Sequence, residues 1–182
     1  MNKFSCSKCP DLVNCRTNIV YGKSYSNSTK LMIIGEAPGK NEDILGEPFV
    51  GKSGKLLRNE LELNNIDDYY ITNIVKCRPP NNRDPTDVEI NNCLPHLIDE
   101  IKNKNPNLIL LVGRKSASAL YQHFGMKFTN ISDSRGKIKK IDYNGITINI
   151  LSTYHPASTI FNKDYRLKFK KDISKLTDIT GI

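Results

Sequence analysis

Leu31-Met-Ile-Ile-Gly-Glu-Ala-Pro-Gly39 is an apolar run of strand length that breaks abruptly into glycine, a carboxylate and proline. The same grammar recurs in Tyr70-Ile-Thr-Asn-Ile-Val75, in Leu108-Ile-Leu-Leu-Val112 followed by Gly113-Arg114, and in Ile146-Thr-Ile-Asn-Ile-Leu151 followed by Thr153-Tyr-His-Pro-Ala157. Short runs rich in Ile, Leu and Val, ending in turn residues or polar motifs, read as parallel strands covered on both faces. Helical spacing fills the intervals. Leu57 and Leu61 mark one helix, and Ala117, Leu120, Tyr121 and Phe124 follow the i, i+3, i+4, i+7 pattern of another. Thr86-Asp-Val-Glu89 after Pro85 is a capping box. The helix it opens turns Ile90, Cys93, Leu94, Leu97 and Ile101 inward, and Pro95 is expected to kink or split it. A last helix, Arg166 to Leu176, buries Phe169, Ile173 and Leu176. Alternation of this kind predicts an α/β class fold, a three-layer α/β/α sandwich around a central, mainly parallel four-stranded sheet. Asn27-Ser-Thr29 reads as a loop and Asp142-Tyr-Asn-Gly145 as a hairpin turn. There is no internal repeat, low-complexity tract or interdomain linker, so residues 1–182 are expected to form one domain.

Composition narrows the class. The chain is 38% hydrophobic and 25% charged, ordinary for a folded domain. Twenty-seven basic against nineteen acidic residues give a net charge of +8, which favours a polyanionic partner and is also compatible with simple solubility. The longest apolar run, Leu108 to Val112, is too short to span a bilayer, and the N-terminus lacks a signal-peptide pattern, so an intracellular protein without membrane attachment is expected.

Four cysteines fall at two scales, Cys6 and Cys9 as a close pair, Cys77 and Cys93 far downstream. A reducing compartment argues against disulfides. A close pair can grip one metal centre, and two thiolates arriving from elsewhere would complete a four-sulfur site and tie the N-terminus onto the domain. The same set suits zinc, and Cys93-Leu-Pro-His96 offers a cysteine and histidine alternative that omits Cys77. Cys15 is the odd one out and reads as a small buried hydrophobe.

In open α/β sheets the active site gathers beyond the carboxyl ends of the strands. The residues expected there are Gly35-Glu-Ala-Pro-Gly39, Asn73, Gly113-Arg114 and Thr153-Tyr-His-Pro-Ala157. Singly, each has a bland reading as turn, loop anchor or cap. Together they supply close backbone approach, a side-by-side donor and acceptor at Asn73, and a polarising donor at His155. Gly46-Glu-Pro-Phe-Val-Gly-Lys-Ser53 matches the phosphate-loop pattern of nucleotide triphosphatases. That motif must directly follow a buried strand, and here the strand ends at Gly35, while Leu108–Val112 ends in Gly113 where a magnesium-binding Asp would be wanted.

Several ordered motifs together resemble the iron–sulfur, or family 4, uracil-DNA glycosylases, from Cys6 to about Leu176. They are Cys6-x-x-Cys9, Gly35-Glu-Ala-Pro-Gly39 with Glu42-Asp43, Gly46-Glu-Pro-Phe-Val-Gly51, Thr72-Asn-Ile-Val-Lys-Cys-Arg-Pro-Pro80 with Asn82-Arg83 and Pro85, Cys93, Gly113-Arg114, Arg135-Gly136 and Thr153-Tyr-His-Pro-Ala157. The resemblance implies a uracil-DNA glycosylase-like sandwich in which Cys6, Cys9, Cys77 and Cys93 ligate a structural 4Fe-4S cluster. It implies base excision repair, with uracil flipped out of DNA and hydrolysed from its sugar by a monomer. Phe49 would then stack on the base, Asn73 would read its O4 and N3–H, and Glu42 would exclude the thymine methyl. His155 would stabilise charge on O2, supported by backbone around Glu36 and Ala37, with Glu36 touching uracil. Ala37 stands where better-studied uracil glycosylases have aspartate. Lys52, Arg78, Arg83, Arg114, Arg135 and Arg166 are the expected phosphate contacts, and the Pro156-Ala-Ser-Thr-Ile160 stretch is expected to carry the wedge that replaces the flipped base. A non-catalytic iron–sulfur DNA-binding or polymerase-associated module would keep the cluster and the charge but leave Asn73 and His155 without a role.

Overall fold

The computed structural model describes residues 6–26 and 30–180, so the expected loop at Asn27-Ser-Thr29 lies outside the described residues. Its strands are β1 (Lys23–Ser24), β2 (Leu31–Gly35), β3 (Tyr70–Asn73), β4 (Leu108–Val112), β5 (Ile138–Tyr143) and β6 (Ile146–Thr153), joined in one sheet in the order β1-β3-β2-β4-β6-β5. The four central strands run parallel, and every residue of β2, β3 and β4 is buried, including the polar Thr72 and Asn73 of β3. The sheet is wider than the four strands expected. β1 and β5 add antiparallel edges. A two-residue strand has no periodicity to detect, and β5 carries Lys139 and Lys140 along an outer edge, where charge discourages further pairing. The β5–β6 turn is the expected hairpin, with Asn144 (φ 52°) and Gly145 (φ 79°) both in the left-handed region.

The helices are α1 (Pro10–Cys15), α2 (Lys40–Leu45), α3 (Lys52–Glu62), α4 (Asp87–Lys104), α5 (Arg114–His123), α6 (Ile131–Ser134), α7 (Pro156–Thr159) and α8 (Lys163–Thr180). Strand alternation sorts them into layers. Met32, Ile34, Ile109 and Leu111 pack with Leu97 and Ile101 of α4 and Leu120 and Tyr121 of α5, whereas Ile33 and Leu110 pack with Leu57 and Leu61 of α3 and Phe169 and Ile173 of α8. The capping box is present, Thr86 Oγ1 accepting from the Glu89 amide at 3.2 Å and Glu89 Oε2 from the Thr86 amide at 2.8 Å. Contrary to expectation, Pro95 does not split α4, which continues to Lys104. Burial of Leu97, Ile98 and Ile101 beyond the proline holds the second half to the sheet. The N-terminal segment is pinned by Asp43, whose carboxylate accepts from the Thr17 amide at 2.8 Å and the Asn18 amide at 3.0 Å. Among the described residues no helix is long and apolar enough to cross a membrane.

Candidate active site and cysteine centre

Register aligns the carboxyl ends of the central strands, Gly35 opposite Asn73 and Val112 opposite Thr153. A cleft at this edge is lined by Glu36, Asp84, Arg114, Lys115, Tyr154 and His155 among others. Behind it Asn73 and Phe49 meet over Gly35, and both are buried. A Cβ on Gly35 would lie 2.4 Å from the Phe49 ring and 2.5 Å from Asn73 Oδ1, so any side chain there would displace one of them. Phe49 itself holds φ 58°, an uncommon conformation for a bulky residue and a form of strain that clusters at functional sites.

His155 caps α7, its Nδ1 accepting from the Ala157 amide at 3.2 Å. The proton of the neutral ring therefore sits on Nε2, which remains a donor. Burial pushes the imidazole below its ordinary value, partly offset by the Glu42 carboxylate. Burial, then the nearby Asp84 carboxylate, pushes Glu36 above the ordinary carboxylate range. Glu42 is buried, with Oε1 accepting from the Gly51 amide at 2.8 Å. That bond uses an amide a phosphate loop would need. α2 also separates β2 from Gly46–Ser53, so the loop does not follow a strand. Ala37 is half-buried against the core.

The strand end carrying His155 is anchored by groups the sequence did not reveal. Thr153 Oγ1 donates to Asp172 Oδ2 at 2.8 Å, and Arg135 Nε donates to the same oxygen at 2.7 Å. Tyr154 stacks on Tyr165 with centroids 4.2 Å apart and shares a 3.0 Å hydroxyl hydrogen bond with Ser132.

Two of the expected phosphate contacts are committed elsewhere. Arg135 is mostly buried and ion-paired to the fully buried Asp172, and Arg83 grips Glu89 with two bonds of 2.8 and 2.7 Å. Both carboxylates are buried and would be left uncompensated if the arginines turned outward. Lys52 and Arg166 are exposed. Arg78 is half-buried with Nε donating to Asn82 at 2.7 Å, and Arg114 makes only a solvent-exposed 3.5 Å pair with Asp84.

Cys6, Cys9, Cys77 and Cys93 line one small cavity between the N-terminal segment, the loop after β3, and α4. Donors point at three of the sulfurs. Arg16 Nη1 lies 3.2 Å from Cys77 Sγ, the Lys76 amide 3.3 Å from Cys93 Sγ, and Asn92 Nδ2 3.6 Å from Cys9 Sγ. Burial pushes the Cys77 thiol up and the Cys93 thiol up to about 11. Among the described residues no three His, Cys, Asp or Glu side chains are gathered as a site for a metal ion. His96 does not line the cavity, and among the described residues its buried Nε2 has no hydrogen-bond partner. Cys15 is half-buried at the end of α1 and also off the cavity, less enclosed than a core hydrophobe.

The strand-end edge thus brings together a histidine donor, a buried amide and a buried aromatic ring. A family model described as the uracil DNA glycosylase superfamily matches residues 23–177. A type-4 uracil-DNA glycosylase from Saccharolobus solfataricus is 43% identical over 95% of this chain and 81% of its own length. Proteins of the same name from Archaeoglobus fulgidus (38% identical, 98% of this chain, 89% of the relative) and Thermotoga maritima (39%, 90% and 82%) are similar throughout. The chain belongs to the uracil-DNA glycosylase superfamily and, within it, to the type-4 uracil-DNA glycosylases.

Proposed function

We propose that this protein is a DNA repair glycosylase, a single domain acting as a monomer, that excises uracil from DNA. Water supplies the hydroxyl to the sugar C1′, the C1′–N1 bond breaks and its electron pair leaves with uracil, and the proton water gives up ends on the released anion, giving free base and an abasic site. The observation that carries this reading is the junction of Asn73 and Phe49 over Gly35, beside a cleft containing His155 and Glu36. The flipped base stacks on Phe49, and the Asn73 amide donates to O4 and accepts from N3–H. Cytosine presents the reverse pattern, and each mismatched buried group costs ~1–3 kcal/mol. Glu42, fixed by Gly51, takes the space a thymine methyl would need. His155 Nε2–H donates to O2 as negative charge grows there, and Glu36 contacts the base. Lys52, Arg78, Arg114 and Arg166 bind phosphates. Arg114 gives up little to do so, because an exposed pair such as that with Asp84 is worth about 0–1 kcal/mol. Ile160 and the adjacent Phe161, 44% and 94% exposed just past α7, are the apolar side chains placed to fill the gap in the duplex. Incubation with oligonucleotides containing U, T, C or hypoxanthine, followed by alkali, tests the function. Strand scission at U and not at T or C is expected, and no scission at U would sink it.

The pH profile checks the state of His155. The neutral ring, Nε2–H donor and Nδ1 acceptor, is the working form, and its depressed pKa keeps it neutral through physiological pH. The single-turnover rate should be flat across neutrality, and its histidine-dependent loss should begin only below the ordinary imidazole value of about 6.5. Glu36, raised by burial, adds to the same acid limb, so the Glu36→Gln variant isolates the histidine contribution. In that variant a rate that instead falls as pH rises through the imidazole range would show that the imidazolium is the active species.

The four cysteines fit an iron–sulfur cluster, which would serve as a covalent tie between the N-terminal segment and the body of the domain. Four thiols around one cavity, three of them facing hydrogen-bond donors, support this reading, since donors at sulfur stabilise ligated thiolates. The protein is expected to be brown and to contain iron and sulfide. Cys77→Ala should bleach it and lower its melting temperature, measured by visible absorption and calorimetry. A colourless wild-type protein with stoichiometric zinc would refute the cluster.

A further inference from the structure

Lys76 is a charged side chain at 1% exposure, and filling space does not explain it, since methionine would occupy the same volume without a buried charge. All three ammonium protons are used, on Thr72 Oγ1 at 2.6 Å, the Asn73 carbonyl at 2.7 Å and Glu100 Oε2 at 2.6 Å. Glu100 closes the network, accepting from Thr72 Oγ1 at 2.8 Å and from the Gly22 amide at 3.3 Å. The main chain of Lys76 faces the other way. Its amide donates to Cys93 Sγ at 3.3 Å, and its carbonyl accepts from the Val20 amide at 2.7 Å. One residue thus bonds the cysteine centre through its backbone and the main chain of Asn73 through its side chain.

We propose that Lys76 is a positioning residue for base selection, holding the Asn73 backbone so that its amide meets the base in a fixed orientation. This rests on Asn73 reading the base, as argued under the proposed function. A side-chain amide discriminates uracil from cytosine only while its oxygen and nitrogen keep their places, and a swing of the strand end would let it follow either base. Backbone bonds from Ile74 to Gly35 and from Val75 to Glu36, each 3.0 Å, tie the chain after Asn73 to β2, but on its other side β3 is paired with β1 only as far as Ile71. The ammonium adds a constraint on that open side, at the Asn73 carbonyl itself. Because the same residue donates to Cys93, the cysteine centre fixes the far end of the lever.

The test uses full-length, metal-loaded Lys76→Met, which keeps the stem and removes the ammonium, beside Lys76→Met/Glu100→Gln, which also removes the carboxylate left unpaired. Glu100→Gln alone retains an acceptor for Lys76 and serves as the conservative control. Iron content, visible absorption, DNA affinity, single-turnover uracil release and the ratio of uracil to cytosine excision at an unpaired site are measured. In at least one Lys76 variant, iron, spectrum and DNA affinity should stay near wild type while the uracil rate falls about ten- to a hundredfold and the ratio drops. Glu100→Gln, which keeps the ammonium on the Asn73 carbonyl but removes its counter-charge, should lose stability while keeping a ratio of uracil to cytosine excision close to wild type. An iron-replete Lys76 variant with wild-type rate and ratio overturns the inference. So does loss of iron and fold in both Lys76 variants, which would assign the residue to the scaffold alone. Asn73→Asp assayed in parallel separates the two readings: if it too keeps the preference for uracil, the role of Asn73 has failed, and if only it loses that preference, the role of Lys76 has.

Discussion

Replacing His155 with alanine is expected to lower the single-turnover rate of uracil release about 10²–10³-fold while weakening DNA binding far less. The asymmetry follows from where the charge is. In the ground state uracil O2 is an ordinary carbonyl, so a hydrogen bond from Nε2 adds little to binding. As the glycosidic bond breaks, the base becomes an anion, and the same donor then acts on a full charge. The structure supports a donor fixed in advance, because Nδ1 is held by the Ala157 amide and Gly113 packs against the ring, where an added Cβ would lie 3.1 Å from His155 Cβ. The fold should survive. The substitution removes the cap of a four-residue helix, a loss of about 0.5–2 kcal/mol at most, and the strand before it stays anchored by Thr153 on Asp172. Single-turnover kinetics and equilibrium binding on one uracil oligonucleotide make the comparison. An unchanged chemical rate would move the stabilising role to another group.

Asn73→Asp should collapse uracil release and reverse the direction of base choice. Asparagine offers a donor and an acceptor side by side, and an ionised carboxylate offers acceptors only. It loses the bond to O4 and gains a partner in the cytosine N4 amine. Asn73 is 3% exposed, and burial favours the protonated acid, whereas the Lys76 ammonium on the same residue's carbonyl favours the ionised form. A protonated acid would keep one donor and leave residual activity, including some on mispaired cytosine. The measurement is the ratio of uracil to cytosine excision by wild type and variant on identical strands with the target base mispaired or unpaired. Retention of the wild-type ratio would show that Asn73 does not read the base and that the pocket drawn around it is wrong.

Much of this architecture is legible in the sequence because it is governed by local burial. β2 and β4 announce themselves as nearly unbroken aliphatic runs, since strands covered on both faces favour apolar residues throughout, and β3 shows as the start of the run Tyr70 to Val75 despite its Thr72 and Asn73. Thr86 and Glu89 mark the start of α4 because a capping box spans four residues and closes on itself. The position of Gly35, Asn73 and His155 at one edge also follows, as parallel strands must end together. Edge strands β1 and β5 escaped, one too short and the other too charged to show a buried period.

What the sequence could not settle is the pairing of charges. Arg83 and Arg135 read as phosphate contacts because an arginine in a loop carries no mark of its partner. Glu89 lies six residues from Arg83, but Asp172 lies 37 residues from Arg135, on α8. A lysine between Asn73 and Cys77, inside an apolar stretch, was a visible signal, yet its meaning depended on Glu100, 24 positions away. The sequence alone determines which segments avoid water, since that depends on each residue's own side chain and its near neighbours. Only the tertiary structure decides which buried donor meets which acceptor, because hydrogen bonds and ion pairs act over a few ångströms between residues that folding, not chain order, brings together.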